Sequence, residues 1–234
     1  MKFFLICWVL VAFASHAATL KQGLLSPVTT DAAPYFWSGT AITTYLLITE
    51  DQISDPASKN TSNRRPLGDA SKLGDLYGQV YPNAIYTLGM LGHGLFFNGR
   101  MAYVRAGHMF KATLYAGLMA TVLKYTVREP RPDNSKEKNS FPSGHTTTAF
   151  TFATVVATEH EWYWGLLAIG GAGLTGYSRM NDGRHFLHDV VAGMTLGISY
   201  GLGTYYNRYG QGKAYAFVPI LDEERTGLRV VTTF

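Results

Sequence analysis

Three short stretches of the chain hold residue types that can bind and transfer a phosphoryl group. Lys124 stands seven positions before Arg131-Pro132. Next comes Pro142-Ser143-Gly144-His145, and then Ser178-Arg179 followed by His185 and Asp189. Lys124, Arg131 and Arg179 supply three cations, two of them with forked donors that match the oxygens of a tetrahedral oxyanion. Ser143 and Gly144 stand where a helix would begin, so free amides and the Ser143 hydroxyl can bind an anion there. Asp189 can hold one nitrogen of His185 protonated and leave the other free as a nucleophile. His145 remains as a general acid for the leaving oxygen. Together these groups amount to phosphoryl-transfer chemistry that uses no metal and no other cofactor.

For the three stretches to meet, the segments between them must be helices running in alternating directions. Ala102 to Val127 reads as one long helix, stopped by Glu129-Pro130-Arg131-Pro132, because proline removes an amide donor and restricts the residue before it. Thr146 to Thr158 reads as a second helix leaving the same end, Trp162 to Ser178 as its return, and His185 to Tyr206 as a last outgoing helix. Antiparallel packing of the four gathers all three stretches at one pole of a bundle. In the last helix His185 and Asp189 are four apart and share a face. His188 adjoins Asp189 and competes as nucleophile, but neighbouring helical residues point apart, which favours His185.

Upstream, residues 18–34 read as a polar, proline-containing lead-in and Ala32 to Thr49 as a helix. Glu50 to Asp75 is the most loop-like stretch, and Leu76 to Gly99 is a further uncharged helical segment. The tail alternates weakly at 215–218 and 228–234, which admits a short hairpin. The expected fold is all-α: a bundle of about six helices with a four-helix catalytic core and a short C-terminal β-hairpin. The expected organisation is a leader (1–17), an N-terminal helical segment and loop (18–100), a core (101–208) and a tail (209–234).

Other polar residues carry plainer readings. His93, His108 and His160 lack metal-ligand spacing and read as packing or surface histidines. Asp182 and Arg184 read as a solvated turn near the site rim, and Arg64, Arg65 and Asp69 read equally well as a cap over the pocket or as loop polarity. Tyr35-Phe36-Trp37 reads as core or membrane-interface packing.

Composition narrows the class. The chain is 47% hydrophobic and 15% charged with a single cysteine, which excludes disorder, a coiled coil and a disulfide-stapled scaffold. A net charge of +4 without a compact basic run suits an anionic ligand or a membrane surface and does not argue for nucleic acid. Lys2, the apolar run Phe3 to Ala14, and Ser15-His16-Ala17 form a secretory leader pattern, with Ala18 as first mature residue. Export to the periplasm is therefore expected. A mean hydropathy of zero leaves two settings. If all six helices spanned a bilayer after a cleaved leader, Lys124 and Arg131 would face the cytoplasm. A periplasmic bundle, free or resting on a membrane, is expected instead; the alternative is an integral inner-membrane protein whose site faces the periplasm.

In order and spacing, the three stretches resemble the motifs of the type 2 phosphatidic acid phosphatase superfamily, which also contains bacterial class A acid phosphatases and vanadium haloperoxidases. The likeness covers Lys124 to Asp189 and the helices that flank them, with no motif position substituted. It implies an all-helical core, a phosphohistidine on His185 and no required metal. It also implies that Lys124, Arg131, Ser143, Gly144, His145 and Arg179 bind phosphate or stabilise the transition state. The expected function is metal-independent phosphatase activity on phosphomonoesters or lipid phosphates. The alternatives are a vanadate-dependent haloperoxidase and an inactive anion-binding membrane protein. The motifs do not choose between a soluble phosphate and a lipid one, and the first hundred residues carry no motif.

Overall fold

The computed structural model describes residues 20–133 and 135–210, and the backbone of 214–222 and 225–233. The leader expected at 1–17 lies outside the described residues. Nine α-helices are found among those described: α1 (Leu20–Thr29), α2 (Ala33–Ile48), α3 (Asp55–Arg64), α4 (Ser71–Gly78), α5 (Tyr81–Phe97), α6 (Arg100–Val127), α7 (Gly144–Glu159), α8 (Trp162–Asn181) and α9 (Leu187–Tyr209). Strands β1 (Ala214–Asp222) and β2 (Arg225–Thr233) pair antiparallel, with Asp222 opposite Arg225. The all-α fold is as expected, with the hairpin as an appendage.

α6 to α9 form the antiparallel four-helix core, and α9 runs through its middle, touching α1, α2, α6 and α7. Its closest neighbour is α7, and the reason is a row of glycines at every fourth position. A Cβ on Gly193, Gly197 or Gly201 would stand 2.5 Å from Ser143 O, 2.6 Å from Thr147 O, or 2.6 Å from Thr154 Cγ2. The two backbones therefore nearly touch, and small side chains fill the seam. Around it the core is built from Met109, Ala112, Ala149, Ala153, Val155, Ala168 and Ala172. The threonines of α7 are tolerated inside because each hydroxyl donates one turn back, as Thr147 Oγ1 does to Ser143 O at 2.9 Å and Thr151 Oγ1 to Thr147 O at 2.8 Å.

The N-terminal third is more helical than its sequence suggests. The lead-in expected at 18–34 contains α1, which carries Pro27 inside it. It survives through tertiary contact: Ser26 fits against Gly203 of α9, Gly23 against the ring of Tyr115, and Tyr200 Oη donates to Leu24 O at 3.0 Å. The loop-like stretch Glu50 to Asp75 also folds. It holds a π-helical turn (Glu50–Ser54), α3, a 3-10 turn (Gly68–Ala70) and the first residues of α4. Pro56 sits in the first turn of α3, where its missing amide is harmless. The polar surface of α3 is used rather than solvated, since Ser58 Oγ accepts from Leu187 N at 2.9 Å. The segment Leu76 to Gly99 is divided between α4 and α5 at Gln79-Val80, just ahead of Pro82.

α9 begins later than expected. Its N-cap is Phe186, so His185 precedes the helix and Asp189 is the third helical residue. The rule that residues four apart share a helical face does not carry the His185–Asp189 contact. A turn carries it: Gly183 takes a positive φ of 65°, and the amides of Arg184 and His185 both return to Arg179 O.

Candidate active site

The ends of α6, α7, α8 and α9 converge with α4 on one open cavity of about 450 Å³, lined by Lys72, Asp75, Gln79, Arg131, His145, Arg179, Asp182, Arg184 and His185. Of the eight residues singled out in the sequence, Arg131, His145, Arg179 and His185 line it. Lys124, Ser143, Gly144 and Asp189 stand behind those four.

Each group has a structural reason for its place. Lys124 lies in the last turn of α6, where Arg128 closes the helix in the left-handed region. Its Nζ donates to Asn139 O and Ser140 O, which ties the connecting loop to the helix end. Burial pulls this ammonium down to about 8, so most of its charge is still present at neutral pH. Arg131 Nε donates to Asn139 Oδ1 at 2.7 Å and pairs with Glu137 at 3.1 Å. Ser143 caps α7, its Oγ accepting from Thr146 N at 3.4 Å and from Thr146 Oγ1 at 2.9 Å. Gly144 would place a Cβ 3.8 Å from Lys124 Cε, so the start of α7 and the lysine are neighbours.

Arg179 is almost fully buried, yet its fork reaches the cavity, with Nη1 2.6 Å from Asp75 Oδ1 and Nη2 3.3 Å from Asp182 Oδ2. His145 Nε2 lies 3.3 Å from the same Asp75 oxygen and 3.0 Å from Gln79 Nε2. Burial and the Arg179 charge depress the His145 imidazolium to about 4, with Asp75 working in the opposite direction. His185 is buried, and its Nδ1 lies 3.5 Å from Asp189 Oδ2 and 3.4 Å from Ser140 Oγ. Burial, with Lys124 and Arg131 nearby, holds His185 below the ordinary imidazole range despite Asp189. Asp189 Oδ2 accepts from Ser140 Oγ at 2.6 Å and from Phe186 N at 2.8 Å. Hydrogen bonds from His185 and Ser140 and the nearby imidazoles outweigh its burial and keep its carboxyl below the usual range. The arrangement offers forked cations for an anion, an imidazole with a buried carboxylate behind it, and a second imidazole opposite.

Sequence reasoning missed α4 entirely. Lys72, Asp75 and Gln79 reach the cavity because Gly74 and Gly78 let α4 press on the core: a Cβ on Gly74 would lie 2.6 Å from Ser178 Oγ, and one on Gly78 2.8 Å from His145 Cβ. Only the spacing of two glycines ahead of Gln79 could have signalled this. Ser140 was also missed. Asp182 and Arg184, read as a solvated turn, line the cavity and pair with Arg179 and Asp133 respectively. Arg65 approaches Asp182 at 3.6 Å. His188 does not reach the cavity and is completely buried on the far side of Asp189. Among the described residues, Glu50, Glu129 and His188 could bring three metal-ligand atoms together, but His188 Nε2 already bonds Glu129 Oε1 at 2.8 Å.

Comparison with known proteins adds family relationships. Residues 105–213 match the PAP2 superfamily. The chain is 39% identical over 92 residues to a lipid A 1-phosphatase of Porphyromonas gingivalis, a match that covers 36% of this chain and 20% of that protein. It is 41% identical over 70 residues to an undecaprenyl-diphosphatase of Sulfolobus acidocaldarius, covering 30% of this chain and 32% of that protein. The chain thus spans a third or less of the length of these two curated relatives. A transmembrane PAP2 type phosphatidylglycerolphosphate phosphatase from Bacillus subtilis aligns in structure with a TM-score of 0.59, over 74% of this chain and 93% of that one. At 20% identity, that likeness shows the fold alone. The segment that resembles the PAP2 superfamily holds all eight residues of the constellation, on or beside the ends of the four helices that bring them together.

Proposed function

We propose that this protein is a metal-independent lipid phosphate phosphatase working through a phosphohistidine. The observation that carries the reading is the convergence of Arg131, Arg179, His145 and His185 on one cavity. Arg131 and Arg179 bind the phosphate oxygens, with Lys124 and the first amides of α7 adding positive potential from behind. His185 Nε2 attacks phosphorus while Asp189 holds the Nδ1 proton. The P–O bond to the leaving group breaks, and His145 donates a proton to that oxygen. Water then attacks the phosphohistidine with His145 taking its proton, which releases phosphate and restores both imidazoles. A dianionic phosphate beside His145 raises its proton affinity, so the depressed resting imidazole is charged when substrate is bound.

Two observations support a lipid substrate. Relatives are named for lipid A and undecaprenyl diphosphate. Large apolar side chains stand exposed on the outer faces of α2, α5 and α8, among them Trp37, Ile48, Ile85, Phe96, Phe97, Trp162 and Leu167, more than a free monomer ordinarily shows. No helix among the described residues is long and apolar enough to cross a membrane. Through its exposed apolar faces the bundle rests against lipid. The test is phosphate release from a phosphatidate or polyprenyl diphosphate and from a chromogenic phosphomonoester, in the presence of a chelator. Release from the lipid, with inhibition by vanadate, is expected. Oxidation of halide by the vanadate-loaded protein, or no release from either substrate, overturns the reading. Sedimentation of the protein with membranes, and its release by a carbonate wash, checks the association; retention through the wash would mean that the bundle is inserted.

Asp75 gives a prediction of its own. Its carboxylate occupies the Arg179 and His145 donors that a phosphate needs, and it is the anion that favours the His145 imidazolium. Asp75→Asn removes a competitor and a proton-holding charge together. KM is expected to fall, kcat to fall, and the alkaline limb of the rate profile to move about one unit toward lower pH. A rise in KM at an unmoved limb would show instead that Asp75 contacts the substrate.

A further inference from the structure

Behind the nucleophile lies a second histidine–carboxylate pair that the proposed mechanism does not use. His188 is fully buried, with its ring stacked on Phe186 at 5.3 Å and tilted toward Phe141 at 6.3 Å. In the ring plane, Nε2 faces Glu129 Oε1 at 2.8 Å and Nδ1 faces Ser54 Oγ at 2.8 Å. Ser54 Oγ also accepts the His188 backbone amide at 3.2 Å. Asp189 Oδ1, buried and without a hydrogen-bond partner, lies 3.6 Å from the same Nε2. Glu129 Oε2 is likewise buried and unpartnered. Groups running Glu129, His188, Asp189, His185 thus alternate acid and imidazole from the end of α6 to the cavity.

We propose that His188 is a positioning residue for the nucleophile: a buried imidazolium, clamped between Glu129 and the free oxygen of Asp189, that fixes the charge of Asp189 from behind and so sets the pH at which His185 becomes reactive. This inference rests on the reading of His185 as nucleophile. The stacked Phe186 ring favours a cationic imidazole, and the surrounding charges agree. Glu50 from the π-helical turn, Glu129 from the loop after α6 and Asp189 from α9 all act to raise the His188 affinity for its proton, and together they outweigh its burial. Lys124 also acts on Asp189 and Glu129, and Arg131 acts on Asp189. The Glu129 carboxyl, pushed up to about 7 mainly by burial, is held down by His188. Without His188, the Glu129 carboxyl rises further and keeps its proton at the acid limb, while Asp189 and the His185 imidazolium lose a neighbouring cation. The loss of that cation makes His185 harder to deprotonate.

The test uses the full chain with two variants, His188→Gln and Glu129→Gln. For His188→Gln, the acid limb of kcat is expected to move up by about one pH unit, with KM within about twofold, because His188 lies outside the cavity. Enzyme denatured at alkaline pH, where a phosphoramidate survives, should still carry phosphate on His185. An unmoved limb overturns the inference while leaving the mechanism standing. Failure to trap phosphate on His185 in the unmodified chain overturns the mechanism itself, and phosphate found on His188 overturns both. If His188→Gln does not fold, Glu129→Gln decides at a half-buried position: nitrogen-15 NMR should show the His188 ring losing its proton about one unit lower than in the unmodified chain. Identical titration in the two proteins, or a His188 signal displaced by zinc in the unmodified chain, overturns the inference.

Discussion

Replacing His185 by alanine is expected to lower phosphate release by about four orders of magnitude or more, the scale seen when a covalent nucleophile is removed. The variant should fold, because Asp189 Oδ2 keeps the hydrogen bonds from Ser140 Oγ and Phe186 N when the imidazole is gone, so that oxygen stays satisfied. Circular dichroism matching the unmodified chain, with vanadate still bound, would separate lost chemistry from lost structure. The pH dependence has a definite sign. His185 is held below the ordinary imidazole range by burial and by Lys124 and Arg131, so its Nε2 is already free at neutral pH and the acid limb that His185 sets appears only as the medium becomes acidic. Turnover within tenfold of the unmodified chain would remove His185 from the mechanism.

The second large effect concerns the seam between α7 and α9. A Cβ at Gly197 would stand 2.6 Å from Thr147 O, 2.7 Å from Phe150 Cβ and 2.8 Å from Thr151 N. Two of those atoms are main chain of α7 and cannot swing aside. Gly197→Leu must therefore push the helices apart, at a cost of about 3 kcal/mol, larger than the helical gain of about 1 kcal/mol from losing a glycine. The same displacement moves the start of α7, so activity should fall with stability. Gly117→Ala on α6 is the control. No atom lies within 4 Å of a Cβ there, so the variant should gain about 0.5–1 kcal/mol. Denaturant midpoints of the two variants check both signs. Equal midpoints would mean that the seam is looser than its geometry.

The convergence of the candidate residues at one pole was legible because its signals are local. Pro130 and Pro132 end a helix wherever they fall, Ser143 caps one through its own third neighbour, and alternating helix direction then leaves little freedom in where Arg179 returns. The His185–Asp189 contact was anticipated through an argument that does not hold, since His185 precedes α9. The contact forms because Gly183 turns the chain and Asp189, as third helical residue, bonds the N-cap amide. The N-terminal third was read poorly for the opposite reason. α1 and α3 have weak intrinsic signals, with an internal proline in one and Asn, Ser and Thr in the other. They are held by partners more than a hundred residues away, such as Tyr200 for Leu24 and Leu187 for Ser58.

By itself, the amino-acid sequence determined the fold class, the four-helix core and the kinds of chemical group at one pole, because helix stops, caps and apolar runs act over a few residues. Only the tertiary structure decided that Asp75 and Gln79 face His145, that Ser140 serves Asp189, and that His188 stands behind the carboxylate with Glu129. Those relations depend on how closely helices approach. That distance is set by glycines and small side chains meeting across the core, a property of pairs of segments that neither segment shows alone.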